Sequence, residues 1–107
     1  TGTTANDKTE TLAIKQVFQN HSKKIMVSST KSMHGHLIGG TGAVELLACI
    51  AALKDGMIAP TIGYQEYDPN CDLDVVPNEA RQQKVNAVIS NAFAFGGLNA
   101  VIALSSI

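Results

Sequence analysis

The stretch STKSMHGHLIGGTGAVE, residues 29–45, sets a lysine, two histidines and a glutamate around a glycine-rich turn, then runs into an almost wholly apolar helix. Between residues 37 and 53 the main polar exceptions are Thr41 and Glu45. A helix with no polar face belongs to an interior, so residues 36–54 are expected to form a buried helix that Gly56 stops. Gly39, Gly40 and Gly42 each cost about 0.8–1 kcal/mol of helix propensity against alanine. Three such residues in one turn suggest that another backbone crosses closely there. A carboxylate in apolar surroundings needs a cationic or hydrogen-bonding partner. Lys31 is the nearest cation in sequence, and a Lys31–Glu45 pair is the expectation.

His36 stands at the start of that expected helix, where free N–H groups and the macrodipole create positive potential. Such potential favours a neutral imidazole that donates a hydrogen bond, a group suited to stabilising a developing oxyanion. A plain helix-capping role fits the same position. The His34-x-His36 spacing suits a metal pair, but no third ligand accompanies it. GHLIGGTGA, residues 35–43, is not followed by the lysine–serine/threonine pair of a phosphate-binding loop and lies inside the expected helix, not before it. Neither a metal nor a phosphate site is expected here.

A second concentrated signal is SNAFAFGGLN, residues 90–99. Gly-Gly between strands is ordinary hairpin chemistry, with Phe93 and Phe95 as core residues. The alternative is a mobile turn that presents a backbone N–H and an aromatic ring to a ligand. Residues 92–98 are the expected turn, between a strand in which Val85, Ala87 and Ile89 alternate and an apolar strand at 99–104. Further strands are expected at 24–29 and 59–62, with residues 30–35 and 64–77 as loops. Upstream, Asp7-x-x-Glu10 resembles a capping box that opens an amphipathic helix through Leu12, Ile14, Val17 and Phe18 to about residue 20. The pattern is α/β.

At 107 residues the chain is one small domain or a piece of a larger one. Its formal net charge of −1 gives no basic footprint for nucleic acid or anionic lipid. With 45% hydrophobic and 16% charged residues, it is expected to bury itself against more protein than it carries. No stretch reads as a membrane span or signal peptide. Cys49 and Cys71 show neither disulfide nor metal spacing, which suits a reducing cytoplasmic compartment, with a plastid as the alternative. In such a compartment the glycosylation match at Asn20-His21-Ser22 goes unused. The threonine-rich opening TGTTANDKTE, with no methionine, reads as cut from something longer.

Taken together, TGT (1–3) with Asp7-x-x-Glu10, SSTKSMHGHLIGGTGAVE (28–45) and SNAFAFGGLN closely resemble the C-terminal part of β-ketoacyl-acyl-carrier-protein synthases. These are the condensing enzymes of fatty-acid synthesis. CDLDVVPNEAR (71–81) and the run into Gly-Ala-Val-Glu look most like the type II, long-chain elongating branch. The lysine–histidine motif is shared with polyketide ketosynthases. The resemblance covers essentially the whole chain. It implies the C-terminal half of a thiolase-like fold, layered helices and a mixed sheet, incomplete on its own. Residues 1–107 would be the C-terminal portion of the synthase domain.

The resemblance also implies roles. His36 matches the histidine that stabilises the enolate of the malonyl thioester. Lys31 matches the active-site lysine, held by a glutamate matching Glu45. Thr1 and Thr3 match threonines on the phosphopantetheine arm. Phe95 matches the gating phenylalanine whose N–H joins the oxyanion hole, with Phe93 its neighbour on the same loop. No cofactor is implied. The implied partners are acyl-carrier protein, malonyl-acyl-carrier protein and the N-terminal part of the same enzyme, within a homodimer. The nucleophilic cysteine and the other catalytic histidine would lie outside this chain. Departures are His34, where threonine is common, and Ala92, Ala94 and Leu98 in the glycine loop. A polyketide ketosynthase portion, or an inactive piece that binds only a partner half or carrier protein, are the alternative readings.

Overall fold

Where caps and breakers fall decides where each element starts. The computed structural model describes residues 1–106. Helix α1 spans Thr4–Phe18 and is capped by Thr3, whose extended backbone lets its side chain accept from Asn6 N–H at 3.3 Å. Asp7 is therefore not the cap but an acid in the first turn, where it complements the helix dipole. The inward row is Thr11, Ile14 and Phe18, while Leu12 and Val17 face outward. The expected apolar face was thus half wrong, because Thr11 takes an inward position that Leu12 was expected to share. A 3₁₀ segment, Gln19–Lys24, ends this unit.

Residues 24–29 do not form the expected strand. A ladder needs a neighbour along its length, and this segment meets only one parallel bridge, Met26 to Asp74, with Val27 N–H donating to Asp74 O at 2.8 Å. One helical turn, α2 at Lys31–His34, replaces part of the expected loop. A 3₁₀ turn at Ile38–Gly40 then leads into α3, Thr41–Asp55, which Gly56 closes at φ 65°. The helix begins later than expected because Ile38 adopts φ 53°, outside the helical region. His36, Gly39 and Gly40 consequently precede α3.

The expected close backbone crossing is also absent among the described residues. A Cβ on Gly39 or Gly42 would meet nothing within 4 Å, and on Gly40 only Leu37 Cβ at 3.8 Å. Nor is α3 an interior helix in this chain. It turns Thr41, Glu45, Ala48 and Ala52 inward and leaves Leu47 65% exposed.

Strand β1, Met57–Ile58, pairs antiparallel with β2, Arg81–Gln82. The strand expected at 59–62 survives only as a Thr61–Pro77 bridge, since prolines at 60 and 77 remove ladder donors. Strands β3, Ala87–Ala94, and β4, Leu98–Ser105, form one antiparallel hairpin in register from Ala87–Ser105 to Ala94–Leu98. Its turn is residues 95–97, closed by Gly96 and Gly97 at φ 80° and 79°. Phe93 accordingly lies in the ladder opposite Asn99, not in a loop. Ser90 lies near enough to Cys49 on α3 to pull its thiol pKa down, and the two-residue period sets Val88, Ser90 and Ala92, all half-buried, on that face. Ile89, expected inside, is on the other face. Every ladder among the described residues is antiparallel; the parallel part of the expected mixed sheet persists only as the two bridges.

The core is thin. Ala52, Ile58 and Val76 are its buried hydrophobic residues, against four buried polar ones, Thr11, Ser22, Thr30 and Thr41. The chain exposes 7561 Å², whereas a self-contained monomer of its mass exposes about 5,700 Å². The excess of about 1,900 Å² matches one side of an obligate interface.

Three carboxyls titrate low in the folded chain. Asn70 N–H holds Asp68 down, Lys15 holds Asp72 down, and at Asp74 burial is outweighed by hydrogen bonds from Arg81 and Val76 N–H. The unfolded chain then binds more protons in acid. Their contribution to stability is complete above the ordinary carboxylate pKa of about 3.9 and is lost as pH falls through the depressed folded values. Denaturation midpoints measured from pH 5 down to pH 2 should fall below about pH 4; a flat profile would contradict the assignment.

Candidate active site

The one-turn helix α2 is held at both ends, by Met33 N–H to Thr30 O at 2.9 Å and Gly35 N–H to Lys31 O at 2.8 Å. Ser32 Oγ accepts Ile62 N–H at 2.8 Å and ties this turn to the segment after β1. Lys31, the first residue of α2, reaches across to Glu45 in the second turn of α3, and Nζ donates to Oε1. The expected pair is therefore formed. It is only partly withdrawn from water, with side chains 23% and 14% exposed.

The two histidines are held in opposite tautomers. His34 Nδ1 lies 2.7 Å from Gly35 O, which only accepts, so Nδ1 carries the hydrogen and Nε2 accepts from Thr30 Oγ1 at 3.0 Å. At His36, Ile38 N–H donates to Nδ1 at 3.0 Å, which places the ring hydrogen on Nε2. Thr41 Oγ1 is 3.2 Å from the same Nδ1 and accepts Leu37 N–H at 2.8 Å. Among the described residues nothing engages His36 Nε2. The Ile38 amide is aimed by the φ of 53°, a conformation that costs a β-branched residue about 1–3 kcal/mol.

An open groove of about 1650 Å³ is lined by Thr1, Lys31, His36, Glu45, Cys49 and Phe93, among others. That exceeds the roughly 300–1,000 Å³ of an enclosed ligand pocket. Glu10 bridges from α1, accepting from Asn6 Nδ2 and from Asn91 Nδ2 on β3, each at 3.0 Å. Two of the residues expected at the site are not gathered with these. Thr3 Oγ1 is occupied by the α1 cap and by Thr1 Oγ1 at 2.9 Å. Phe95 is fully exposed at the hairpin tip.

Asn91 and the role of Thr41 escaped the sequence reading. For Thr41 the signal was visible: with Glu45 it is one of the two main polar exceptions between residues 37 and 53.

Cys49 sits beside Glu45. Burial, then the Glu45 charge, push its thiol up, and the Ser90 hydrogen bond only partly offsets them. Burial likewise pushes Cys71 up, against a hydrogen bond from Thr11. Both are poor nucleophiles at neutral pH. No helix of the described residues is long and apolar enough to cross a membrane.

The chain is similar to known proteins along its length. The family model described as the β-ketoacyl synthase C-terminal domain matches residues 1–65. Nodulation protein E of Rhizobium sp. (strain N33) is 52% identical over 107 residues, covering 100% of this chain and 27% of that protein. The 3-oxoacyl-[acyl-carrier-protein] synthase 2 of Coxiella burnetii is 48% identical over 107 residues, covering 100% and 26%. Among solved structures, a type II polyketide acyl-carrier protein in complex with its ketosynthase superposes with a TM-score of 0.95 at 33% identity, covering 98% of this chain and 26% of that one. The chain thus spans about a quarter of the length of the relatives it matches.

Proposed function

Since the chain belongs to the β-ketoacyl synthase family and has part of its thiolase-like fold, we propose that residues 1–107 form the C-terminal portion of an elongating condensing enzyme. An acyl group passes from carrier-protein thioester to a cysteine thiol in the remainder of the enzyme, releasing the carrier thiol. Malonyl-carrier protein then loses carbon dioxide, and the electron pair of the broken C–C bond becomes an enolate. The enolate carbon attacks the acyl thioester, expels the cysteine thiolate and leaves a 3-oxoacyl-carrier protein.

In this proposal His36 donates from Nε2–H to the malonyl thioester oxygen and takes up the enolate charge as it develops. Lys31 supplies positive potential in the same groove, and Glu45 fixes its direction. Thr1 and Thr3 bind the phosphopantetheine arm. Phe95 brings its N–H to the oxyanion hole by movement of the hairpin tip, beside Phe93. A polyketide ketosynthase uses the same steps, so these roles hold for either product. The parent enzyme is proposed to work as a cytoplasmic homodimer.

The observation that carries the reading is the hydrogen bond from Ile38 N–H to His36 Nδ1, which leaves a donor on Nε2 in a groove shared with the Lys31–Glu45 pair. The test is acylation. Full-length enzyme incubated with acyl-carrier protein should gain one acyl group and, with malonyl-carrier protein, release carbon dioxide and 3-oxoacyl product. The 107-residue chain alone should gain none by mass spectrometry, because Cys49 and Cys71 have raised thiol pKa values. A stable adduct on either cysteine would move the nucleophile into this chain and overturn the proposal.

A further inference from the structure

Thr41 is the first residue of α3, and its side chain is almost fully buried on a helix whose other inward residues, save Glu45, are apolar or thiol-bearing. A buried hydroxyl must satisfy its hydrogen bonds within the protein. The Leu37 amide can only donate, so at 2.8 Å it occupies a lone pair of Thr41 Oγ1. The hydroxyl hydrogen is left for the acceptor 3.2 Å away, His36 Nδ1. That nitrogen also receives Ile38 N–H at 3.0 Å. Two donors from different points of the chain, one on the strained turn and one at the start of the helix, share the single lone pair of one ring atom, the amide at the shorter distance. A single donor leaves the ring free to pivot about that bond; a second one removes the freedom.

We propose that Thr41 is a positioning residue for His36. Its hydroxyl fixes the ring plane and, with the Ile38 amide, holds the hydrogen on Nε2, so that the donor is already aimed when the enolate forms. The proposal rests on the role given to His36 above. Thr41 touches no reacting atom, so it acts through the orientation of the imidazole.

The test uses full-length enzyme carrying Thr41→Val, which keeps the shape and loses the hydroxyl, and Thr41→Ser, which keeps the hydroxyl. Loss of one such hydrogen bond should lower kcat for malonyl decarboxylation about 3- to 10-fold. KM and the rate of acyl loading should stay within about twofold, and Thr41→Ser should restore kcat to within about twofold of the parent. Undiminished decarboxylation in Thr41→Val would overturn the proposal. So would an equal loss of acyl loading, which marks general damage, or a Thr41→Ser variant as slow as the valine one, which assigns the effect to the methyl group. If Thr41→Val does not fold, Thr41→Ala reads the same hydroxyl against Thr41→Ser. The parent reading fails separately, through His36→Ala retaining decarboxylation. A slow His36→Ala with a normal Thr41→Val sinks the Thr41 proposal alone.

Discussion

In full-length enzyme, His36→Ala should lower malonyl decarboxylation at least about 10²-fold, the usual loss when one oxyanion donor is removed. Transfer of the acyl chain to the enzyme should change far less, because no enolate forms in that half-reaction. The separation follows from one hydrogen: Ile38 N–H occupies Nδ1, so the ring offers a donor at Nε2 and not a base. His36→Gln, which keeps an N–H, should recover part of the lost rate. The measurement is carbon dioxide release from malonyl-carrier protein beside acyl loading from labelled acyl-carrier protein. Decarboxylation near the parent rate would remove His36 from the chemistry.

Glu45→Ala should destabilise the same enzyme by about 3 kcal/mol, the lower end of what breaking a buried ion pair costs. The lower end applies because Lys31 keeps 23% of its side chain exposed and can recruit water once its partner is gone. Glu45→Gln retains an acceptor for Lys31 Nζ and should cost about 1–2 kcal/mol. Denaturation midpoints of the two variants decide it. Equal and negligible shifts would mean that the pair adds nothing to stability.

The parts of this chain that were legible in sequence are those settled by local chemistry. Glycine at 56 ends α3 because a left-handed residue is needed there, and scarcity of charge made Lys31 the evident partner for Glu45. The hairpin, too, follows from two apolar runs around Gly96-Gly97. What was misread depends on neighbours. The start of α3 moved because Ile38 takes a left-handed φ that isoleucine does not choose by itself. Phe93 looked like loop, yet ladder hydrogen bonds carry β3 through Ala94. The inward phase of β3 puts Ser90 beside Cys49, a neighbour no alternation pattern specifies. The site divides the same way: Lys31 and Glu45 pair by nearness in sequence to an otherwise apolar helix, while the role of Thr41 rests on its 3.2 Å approach to His36.

The hairpin turn also has a kinetic meaning. Phe95 lies beyond the last rung of the ladder, Ala94 to Leu98, and is followed by two glycines in the left-handed region. Swinging the phenyl ring therefore breaks no interstrand hydrogen bond and needs only torsions at the tip. Such loop motions take nanoseconds to microseconds, whereas an enzyme of median speed turns over about 10 times per second. Even at the slow end the tip samples its positions about 10⁵ times per cycle. The tip thus reaches equilibrium among its positions within each cycle. Movement of the tip is therefore not the step that would limit the cycle.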